Sequence, residues 1–516
     1  MTQVLFGQSY YLRFDPKLYA AMQPYPPLGT LYAASTLRER DYDVALFDAM
    51  LARSEEEWVS ALERHTPQFA ILYEDSFNYL SKMCLLRMRQ AAFTMMQAAR
   101  KQGCTVIVSS SDATDHLGEY LTQGAQYILI GEGERTLVEL MDALTSRGAA
   151  DLQSIRGLAY REREGMIHRT PPREFIRDLD RLPFPAWDLV DMRDYERVWR
   201  TAHGYFSMNL VTTRGCPYHC NWCAKPIYGQ RYNVRSPENV VAELKLLKET
   251  FHPDHVEFAD DIFGLRPGWI ERFADLVREY DTQIPFKCLL RADLVKEDTV
   301  AALQRAGCRT VWMGAESGSQ KILDAMDKGT RVEQIYAATE RLHCAGIQVG
   351  FFLQFGYRGE DRRDIDKTLQ MVRECRPDDI GISVSYPLPG TGFFEQVRQE
   401  LGEKQNWLDS DDLAMMYRGT YSTEFYRVLH RAVHAEFRLR RSWSELARVV
   451  RQPRRWRAAH LRLLPAIPLH AARLGLARWK MNLLGREGGG ESQEQKNTLP
   501  FLQTLISHLS SLLLRT

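Results

Sequence analysis

The chain has 516 residues, of which 45% are hydrophobic and 26% charged, and its formal net charge is +1. This length exceeds what a single hydrophobic core usually serves, so we expect roughly two or three domains. The near-zero net charge creates no overall attraction for an acidic partner, and we expect no nucleic acid among the partners. No uninterrupted apolar run reaches the roughly 18 residues that would predict a membrane-spanning helix.

The nine cysteines are odd in number and irregularly spaced, which does not fit a disulfide framework. The N-terminus lacks a basic stretch followed by an apolar one, so no secretory signal is predicted. Both features favour a reducing cytoplasm, where thiols remain available as metal ligands.

Residues 1–147 alternate short apolar runs with helix-length segments. Five strands are predicted from the runs QVLFG, DVALFDA, FAILY, TVIVSS and YILIG. Because these runs are almost continuously apolar, they indicate a parallel sheet covered by helices on both faces, as in a doubly wound, Rossmann-like α/β domain. Ligands bind such sheets beyond the carboxyl ends of the strands.

Residues 148–205 are rich in proline and charge and are interpreted as a linker. Strand and helix patterns alternate again over 206–400, with six strand candidates: FSMNLVTT, HVEFADD, FKCLLRAD, TVWMGAES, IQVGFFLQFG and DIGISVSYPL. Six such units predict a partial (β/α)6 barrel, whose functional groups would lie at the C-terminal ends of its strands. Residues 401–516 are predicted to form a helical, basic C-terminal region.

Three cysteines, Cys216, Cys220 and Cys223, follow the first predicted barrel strand with the spacing C-x3-C-x2-C. Thiolates select iron–sulfur clusters, zinc or copper(I). A structural zinc site or a fully ligated cluster uses four protein ligands, and no fourth cysteine is near in the sequence. Three thiolates therefore suit a [4Fe–4S] cluster with one iron left open for a ligand. A structural zinc loop, with His219 as a poorly placed fourth ligand, is the alternative.

This spacing, with Trp222 before the last cysteine, resembles the radical S-adenosylmethionine (SAM) superfamily. The resemblance implies that the open iron binds the amine and carboxylate of SAM, and that an electron from the cluster cleaves SAM to a 5′-deoxyadenosyl radical. The segment VEFADDIF, with Asp260, resembles the family's second-strand element. GAESGSQKILDAMDKGT resembles the fourth-strand segment, in which Glu316 and Ser317 would approach the SAM ribose or carboxylate. GIQVGFFLQFG, with Gly350, resembles the fifth-strand segment near the adenine.

Simpler roles remain open for two of these residues. Glu316 could be a carboxylate at the barrel rim that only caps a helix. Asp260 could lie in a solvated loop.

The segments PYPPLGTLYAASTLRE, YILIGEGERTLVEL and LPFPAWDLVD resemble the cobalamin-binding branch of the same superfamily, and the resemblance covers about residues 1–400. It implies a cobalamin cofactor, with Ser109, Ser110, Gly131 and Glu132 as candidate contacts. Two departures stand out. No D-x-H-x-x-G motif supplies a histidine to cobalt, and serines occupy 109–111, where the family usually has a Gly-Gly pair that lets a ligand approach closely. A domain that has kept the fold and lost the cofactor is the alternative.

The expected function is C-methylation of an unactivated carbon in a hydrophobic or natural-product-like substrate. A B12-dependent cyclase or rearrangement enzyme, similar to the anaerobic tetrapyrrole cyclases, is the alternative among enzymes. A non-catalytic iron–sulfur redox sensor or assembly protein is the alternative from another class. The expected partners are a small-molecule or lipid-like substrate and an external electron donor such as flavodoxin or ferredoxin.

The C-terminal region carries a dense set of arginines interleaved with Trp443, Trp456 and Leu461. The arginines are Arg438, Arg440, Arg441, Arg448, Arg451, Arg454, Arg455, Arg457 and Arg462. Leucines from Leu499 to Leu512 add a stripe at helical spacing. Arginine and tryptophan on amphipathic helices suit an anionic bilayer, so peripheral contact with the inner face of the membrane is one hypothesis. A solvated helical cap and an RNA-binding surface are the alternatives.

Overall fold

A computed structural model of the chain describes residues 3–83, 85–146, 151–162, 165–225, 227–404, 406–452, 460 and 463–487. Residues 1–418 form one compact unit and residues 419–516 a second. The first unit thus extends past the predicted barrel end at 400, because the following segment returns to the N-terminal part of the chain. There the Ser410 hydroxyl donates to Asp15 (2.6 Å), and the Leu86 N–H donates to the Trp407 carbonyl (2.8 Å).

Strands and helices alternate through the first unit, and two long helices make up most of the described part of the second. The strands are β1 (Val4–Gly7), β2 (Val44–Phe47), β3 (Phe69–Tyr73), β4 (Thr105–Ser109), β5 (Tyr127–Leu129), β6 (Leu158–Arg161), β7 (Ile167–Arg169), β8 (Ser207–Leu210), β9 (Thr213–Arg214), β10 (Asn233–Val234), β11 (His255–Phe258), β12 (Phe286–Leu290), β13 (Cys308–Glu316), β14 (Gln348–Phe355) and β15 (Asp379–Val384).

The α-helices are α1 (Pro16–Ala21), α2 (Leu28–Arg38), α3 (Glu56–His65), α4 (Tyr79–Met83), α5 (Leu86–Lys101), α6 (Ser111–Asp115), α7 (Leu117–Gln123), α8 (Gly133–Thr145), α9 (Met192–His203), α10 (Pro237–Phe251), α11 (Trp269–Glu279), α12 (Glu297–Ala306), α13 (Gln320–Ala325), α14 (Val332–Cys344), α15 (Arg362–Cys375), α16 (Gly392–Val397), α17 (Thr423–Arg451) and α18 (Leu463–Glu487). Short 3-10 helices cover Leu12–Phe14, Leu152–Ser154, Leu179–Arg181, Trp187–Leu189, Ala292–Leu294 and Arg398–Glu400.

The first sheet has the strand order β2-β1-β3-β4-β5-β6-β7, and β1 to β5 are parallel, which confirms the predicted doubly wound domain. Its core lies on both faces, because alternate strand residues point to opposite sides. On β3, Ala70 and Leu72 pack in the cluster that contains residues of α3 and α5. Phe69 and Ile71 pack in the cluster that contains residues of α2 and α8.

The segment predicted as a linker contributes β6 and β7, which extend this sheet in antiparallel fashion. The sequence analysis missed both strands. β7 has only three residues, none of them buried, and charged residues flank it, so it lacks the apolar run that marks a buried strand.

The third sheet has the order β8-β11-β12-β13-β14-β15, with every neighbouring pair parallel, which confirms the predicted partial (β/α)6 barrel. The helix after the first barrel strand begins as its sequence suggests. The Ser236 hydroxyl accepts from the Asn239 N–H (3.1 Å), and Pro237 occupies the first turn of α10.

The second unit confirms the predicted helical C-terminal region: α17 and α18 pack through a cluster that includes Ala432, Ala435 and Leu474. Ion pairs join Glu436 to Arg478 (2.8 Å) and Glu424 to Lys480 (2.7 Å). None of the helices described is both long and apolar enough to cross a membrane. Several residues of the membrane hypothesis lie outside the described residues: Arg454, Arg455, Trp456, Arg457, Leu461, Arg462 and the leucines from Leu499 to Leu512.

Candidate functional site

The three cysteines lie in the loop between β9 and β10, beyond the carboxyl end of β8. These two short strands pair with each other, Arg214 opposite Asn233, and close the base of the loop. Gly215, the next residue, has a φ of 82°, and a Cβ there would lie 2.4 Å from the Arg231 carbonyl oxygen. Only glycine therefore fits at the point where the chain turns into the cysteine loop.

The tip of the loop is fixed by Asn221, which lies between two of the cysteines. Its N–H donates to the Met326 carbonyl (3.0 Å), and its Oδ1 accepts from the Tyr357 hydroxyl (2.7 Å). Its own carbonyl accepts from the Phe393 N–H (2.8 Å). Bonds to three separate segments of the barrel thus hold the flanking cysteines in place.

Two buried cations lie beside Cys220. The Arg291 Nη1 is 4.0 Å from the Cys220 Sγ, and the guanidinium lies 3.5 Å from the centre of the Tyr218 ring. The Lys328 Nζ donates to Glu316 (2.8 Å). Burial alone would lower the pKa of Lys328, but the charges of Glu316 and of the Cys220 thiolate raise it.

Glu316 and Trp222, two predicted cofactor contacts, meet at Lys328. The indole ring of Trp222 is 5.9 Å from the Lys328 Nζ, and its buried N–H has no partner. Glu316 is held at a φ of 57°, beside a bulge in β13, a costly conformation for a residue other than glycine. A cation, a carboxylate and a free N–H in one place suit a zwitterionic, amino-acid-like ligand.

The thiols fit an iron–sulfur cluster by their chemistry. All three are free of disulfide bonds. Burial raises the pKa of Cys216, so its thiol would lose its proton when metal binds. No three His, Cys, Asp or Glu side chains in the described part of the chain form a group that would hold a metal ion. Soft thiolates on a rigid loop beside two cations are nevertheless the ligands that iron–sulfur clusters use.

Asp260, another predicted cofactor contact, belongs to the framework beneath the loop. It is buried and accepts from the Thr212 N–H (2.7 Å), the Thr212 hydroxyl (2.6 Å) and the Thr213 N–H (2.8 Å). Burial raises its pKa to about 6. This carboxylate therefore fixes the chain between β8 and β9, and it does not lie in the solvated loop that the sequence left open.

Ser317 and Gly350, two further predicted cofactor contacts, have their neighbours within the barrel. The Ser317 hydroxyl is within 3.1 Å of the Thr368 hydroxyl and accepts from the Ser319 N–H (3.1 Å), so its bonds lie within its own turn and to α15. Gly350 lies under the Trp312 ring, which a Cβ would approach to 2.4 Å. Both residues shape the backbone of the barrel.

A pocket with about 290 Å³ of empty space opens beyond the carboxyl ends of β3, β4 and β5. It is lined by Tyr73, Glu74, Asp75, Ser76, Ser81, Ser109, Ser110, Ser111, Gly131 and Ile227. Three predicted cofactor contacts, Ser109, Ser110 and Gly131, thus lie together. The hydroxyl of Ser110 also caps α6, accepting from the Ala113 N–H (2.9 Å). The polar lining suits the amide-bearing arms of a corrinoid.

Glu132, the remaining predicted contact, binds Arg214. The Arg214 guanidinium donates to Glu132 (3.1 Å) and to Glu134 (2.7 Å), and all three side chains are at most 3% exposed. Glu132 also accepts from the Ile176 N–H (2.6 Å). We call these three residues the Arg214 triad. Because Arg214 directly precedes the cysteine loop, the triad joins that loop to the edge of the pocket.

The sequence analysis missed Arg214, Arg291 and Lys328. The sequence does contain a hint of the role of Arg214: two glutamates lie close together in GEGERT, and the arginine lies two residues before the first cysteine of the motif. Nothing in the sequence shows that these segments meet. Arg291 and Lys328 lie in segments whose charged residues are otherwise typical of solvated loops.

Glu74, in the pocket lining, predicts a pH effect on stability. Its two oxygens accept from the Ser9 N–H (3.0 and 3.1 Å), and burial raises its pKa to about 7. Because the unfolded value is about 4.3, the folded state binds more protons between these values. The stabilisation of the folded state by protonated Glu74 is complete below about pH 4 and is lost as the pH rises through about 7.

Glu74→Gln should remove this dependence. Between pH 5 and pH 8 the free energy of unfolding of the parent should fall by about 2 to 3 kcal/mol relative to the variant, as measured by urea denaturation. Identical pH slopes for the two proteins would contradict the assignment.

Comparison with known proteins is consistent with this site. Residues 210–372 match the family model described as the radical SAM superfamily. An uncharacterized methyltransferase of Pyrococcus horikoshii is 28% identical over 389 residues, which cover 74% of this chain and 81% of the relative. An anaerobic magnesium-protoporphyrin IX monomethyl ester cyclase of Rubrivivax gelatinosus is 28% identical over 291 residues, or 55% of this chain and 50% of the relative.

Among solved structures, the radical S-adenosylmethionine methyltransferase TsrM from Kitasatospora setae, with cobalamin and a [4Fe-4S] cluster bound, has a TM-score of 0.63 at 18% identity. The match covers 77% of this chain and 75% of that one. At this identity, it shows that the two chains share a fold.

Proposed function

We propose that this chain, whose residues 210–372 match the radical SAM superfamily, is a cobalamin-dependent methyltransferase acting on an unactivated carbon of a hydrophobic or natural-product-like substrate. The observation that carries the proposal is the contact between two sites within one compact unit. Ile227 of the cysteine loop lines the pocket of the first sheet, and the Arg214 triad connects the same two elements. Chemistry that needs two cofactors requires this proximity.

When bound, the cluster would cleave SAM reductively and the corrinoid would donate the methyl group. In this proposal, Cys216, Cys220 and Cys223 hold the cluster. Lys328 and Glu316 orient the charged amino-acid end of SAM, since both are buried and already paired. An external donor such as flavodoxin or ferredoxin supplies the electron.

The proposed function is tested by product mass. A metabolite that accumulates in a deletion strain would be incubated with reconstituted enzyme, SAM and a reductant. A product heavier by one CH2 unit supports methyl transfer. Ring closure without added carbon would replace the proposal with the cyclase alternative, and absence of SAM cleavage would favour a redox sensor.

The sequence predicts how cobalt is coordinated. It has no D-x-H-x-x-G motif that would supply a histidine to cobalt, and none of the residues that line the pocket is a histidine. We therefore expect the electron paramagnetic resonance spectrum of protein loaded with one-electron-reduced cobalamin to show no coupling to a histidine nitrogen of the protein. Labelling the histidines with ¹⁵N should leave the spectrum unchanged. A spectrum altered by the label, or no cobalamin binding at all, would contradict this expectation.

We also propose that the second unit contacts an anionic membrane surface. Trp443 on α17 is 54% exposed and Leu464 on α18 is 59% exposed. Leu476 and Trp479 on α18 are exposed as well, and this helix has no acidic residue before Glu487. Exposed apolar and aromatic side chains among arginines suit the bilayer interface.

Flotation with phosphatidylserine-containing vesicles tests this contact. We expect the full-length protein to float at low salt and to be released at high salt, because each arginine near an anionic surface contributes about 1 kcal/mol that salt screens. Vesicles of neutral lipid are the control. Protein that stays in the soluble fraction with anionic vesicles at low salt would rule the contact out and leave the helical cap as the interpretation.

A further inference from the structure

The interior face of the barrel carries two aromatic side chains to which the proposed chemistry gives no role. On β13 and β14, Trp312 lies opposite Gly350, and Gly314 lies opposite Phe352. The Trp312 and Phe352 rings are 4.7 Å apart at an interplanar angle of 31°. Phe352 is 40% exposed although its strand, β14, is paired with β13 on one side and with β15 on the other. Its ring therefore faces open space and not the hydrophobic core.

Glycines beneath the rings let them lie close to the sheet. A Cβ at Gly350 would lie 2.4 Å from the Trp312 ring, and a Cβ at Gly381 on β15 would lie 3.2 Å from the Phe352 ring. The two rings thus rest on bare backbone, tilted by 31° against each other, and form a continuous apolar surface. We call Trp312 and Phe352, with Gly350 and Gly381 beneath them, the aromatic platform.

The platform adjoins the site beside the cysteines. Gly314 lies opposite Phe352 on the neighbouring strand. The Glu316–Lys328 ion pair lies directly over Gly314, because a Cβ at this position would be 2.6 Å from both the Glu316 Oε1 and the Lys328 Nζ. A molecule on the platform would therefore lie next to the residues that we assign to SAM.

Unpartnered polar groups stand beside the platform. Gln354 follows Phe352 by two residues on β14 and so points to the same face. It is buried, and neither its Nε2 nor its Oε1 has a partner. The buried Ser385 hydroxyl, just past the neighbouring strand, also lacks one. Buried polar groups left unpaired are costly, which points to a ligand that supplies the missing hydrogen bonds.

We infer that the aromatic platform binds the flat, apolar body of the substrate, an aromatic or fused-ring system that carries a hydrogen-bonding group for Gln354. This inference rests on the proposed function, because it assigns the platform to that enzyme's substrate. Aromatic faces favour offset stacking on other aromatic rings. A puckered saturated ring would bring fewer atoms into contact with a flat surface.

A matched pair of probes tests the flatness requirement. 2-Naphthamide and decahydro-2-naphthamide share a carbon skeleton and an amide and differ in planarity. Their dissociation constants would be measured by equilibrium dialysis against the reconstituted holoenzyme, with and without saturating SAM. We expect the flat probe to bind about tenfold more tightly, whether or not SAM is present.

Four variants test whether the probes bind at the aromatic platform. Phe352→Ala should abolish the preference for the flat probe, and Phe352→Leu, which keeps apolar volume, should reduce it. Gln354→Leu should weaken both amides. Tyr280→Ala, at an exposed tyrosine that follows α11, should change nothing. Iron content and circular dichroism identify any variant that fails to fold, and the remaining variants then decide the outcome.

Several results would overturn the inference: equal binding of the two probes, no binding of either, or an unchanged preference in Phe352→Ala and Phe352→Leu. Competitive displacement of the flat probe by SAM would also overturn it, because the platform would then serve the adenine. Since binding is measured without turnover, failure of methyl transfer and failure of this inference are separate results.

Discussion

Replacement of Cys216, Cys220 and Cys223 together by alanine is expected to remove about four iron and four sulfide ions per chain from anaerobically reconstituted protein. SAM cleavage should fall to background, since the three thiolates are the only ligands that the protein supplies to the cluster in this proposal. The loop is held by Asn221 and Gly215, whose bonds and turn do not involve the thiols. The variant should therefore remain folded, with circular dichroism like that of the parent.

The matched control is Cys344→Ala, at an exposed cysteine at the end of α14. It should keep the full iron content. Iron and sulfide retained by the triple variant, or tetrahedral zinc without iron in the reconstituted parent, would contradict the assignment and return the zinc alternative.

Arg214→Met is expected to destabilise the first unit by about 3 to 5 kcal/mol, because it leaves the buried carboxylates of Glu132 and Glu134 without a counter-charge. Burial raises the pKa of Glu132 even with Arg214 in place, so its charge is already costly. The loss should appear as a lower urea midpoint for the first unit. The variant should also bind cobalamin more weakly, since the triad borders both the pocket and the cysteine loop.

The triple variant Arg214→Met, Glu132→Gln, Glu134→Gln removes the charges together and should recover much of the lost stability. Arg181→Met, which breaks the exposed pair with Asp178, is the matched control and should cost about 0.5 kcal/mol. If Arg214→Met were no more destabilising than Arg181→Met, the triad would not be the connection described here.

The parallel strands β1 to β5 and the six strands of the barrel sheet could be predicted from the sequence, because parallel strands buried on both faces appear as apolar runs. The strands β6 and β7 were not predicted. The cysteine loop could also be predicted, because the close spacing of three cysteines is visible without knowledge of the fold. β7 has no buried residue, and His168 and Arg169 make two of its three residues polar, so it lacks the apolar run of a buried strand. The contact between Glu132 and Arg214, 82 residues away, is visible only in the folded chain, and the cofactor contact predicted for Glu132 stays a prediction.

Asp260 and Ser317 illustrate the same limit. Polar residues at the carboxyl ends of barrel strands are candidates for ligand contact, and the sequence cannot separate them from residues that bond to the backbone. In the structure, the Asp260 carboxylate is fully used by Thr212 and Thr213. Glu316, on the same kind of strand end, is free to meet Lys328 because it leaves the strand in a left-handed conformation.

The central claim is that one compact unit carries both a SAM-cleaving cluster and a corrinoid site. It is tested most directly by incubating reconstituted, cobalamin-loaded protein with SAM whose methyl group carries three deuterium atoms, with and without a low-potential reductant. We expect that, with the reductant, the same preparation yields both labelled methyl on the corrinoid and 5′-deoxyadenosine, and that without the reductant it yields neither. Protein that yields 5′-deoxyadenosine and neither binds cobalamin nor transfers the labelled methyl to it would contradict the two-cofactor site.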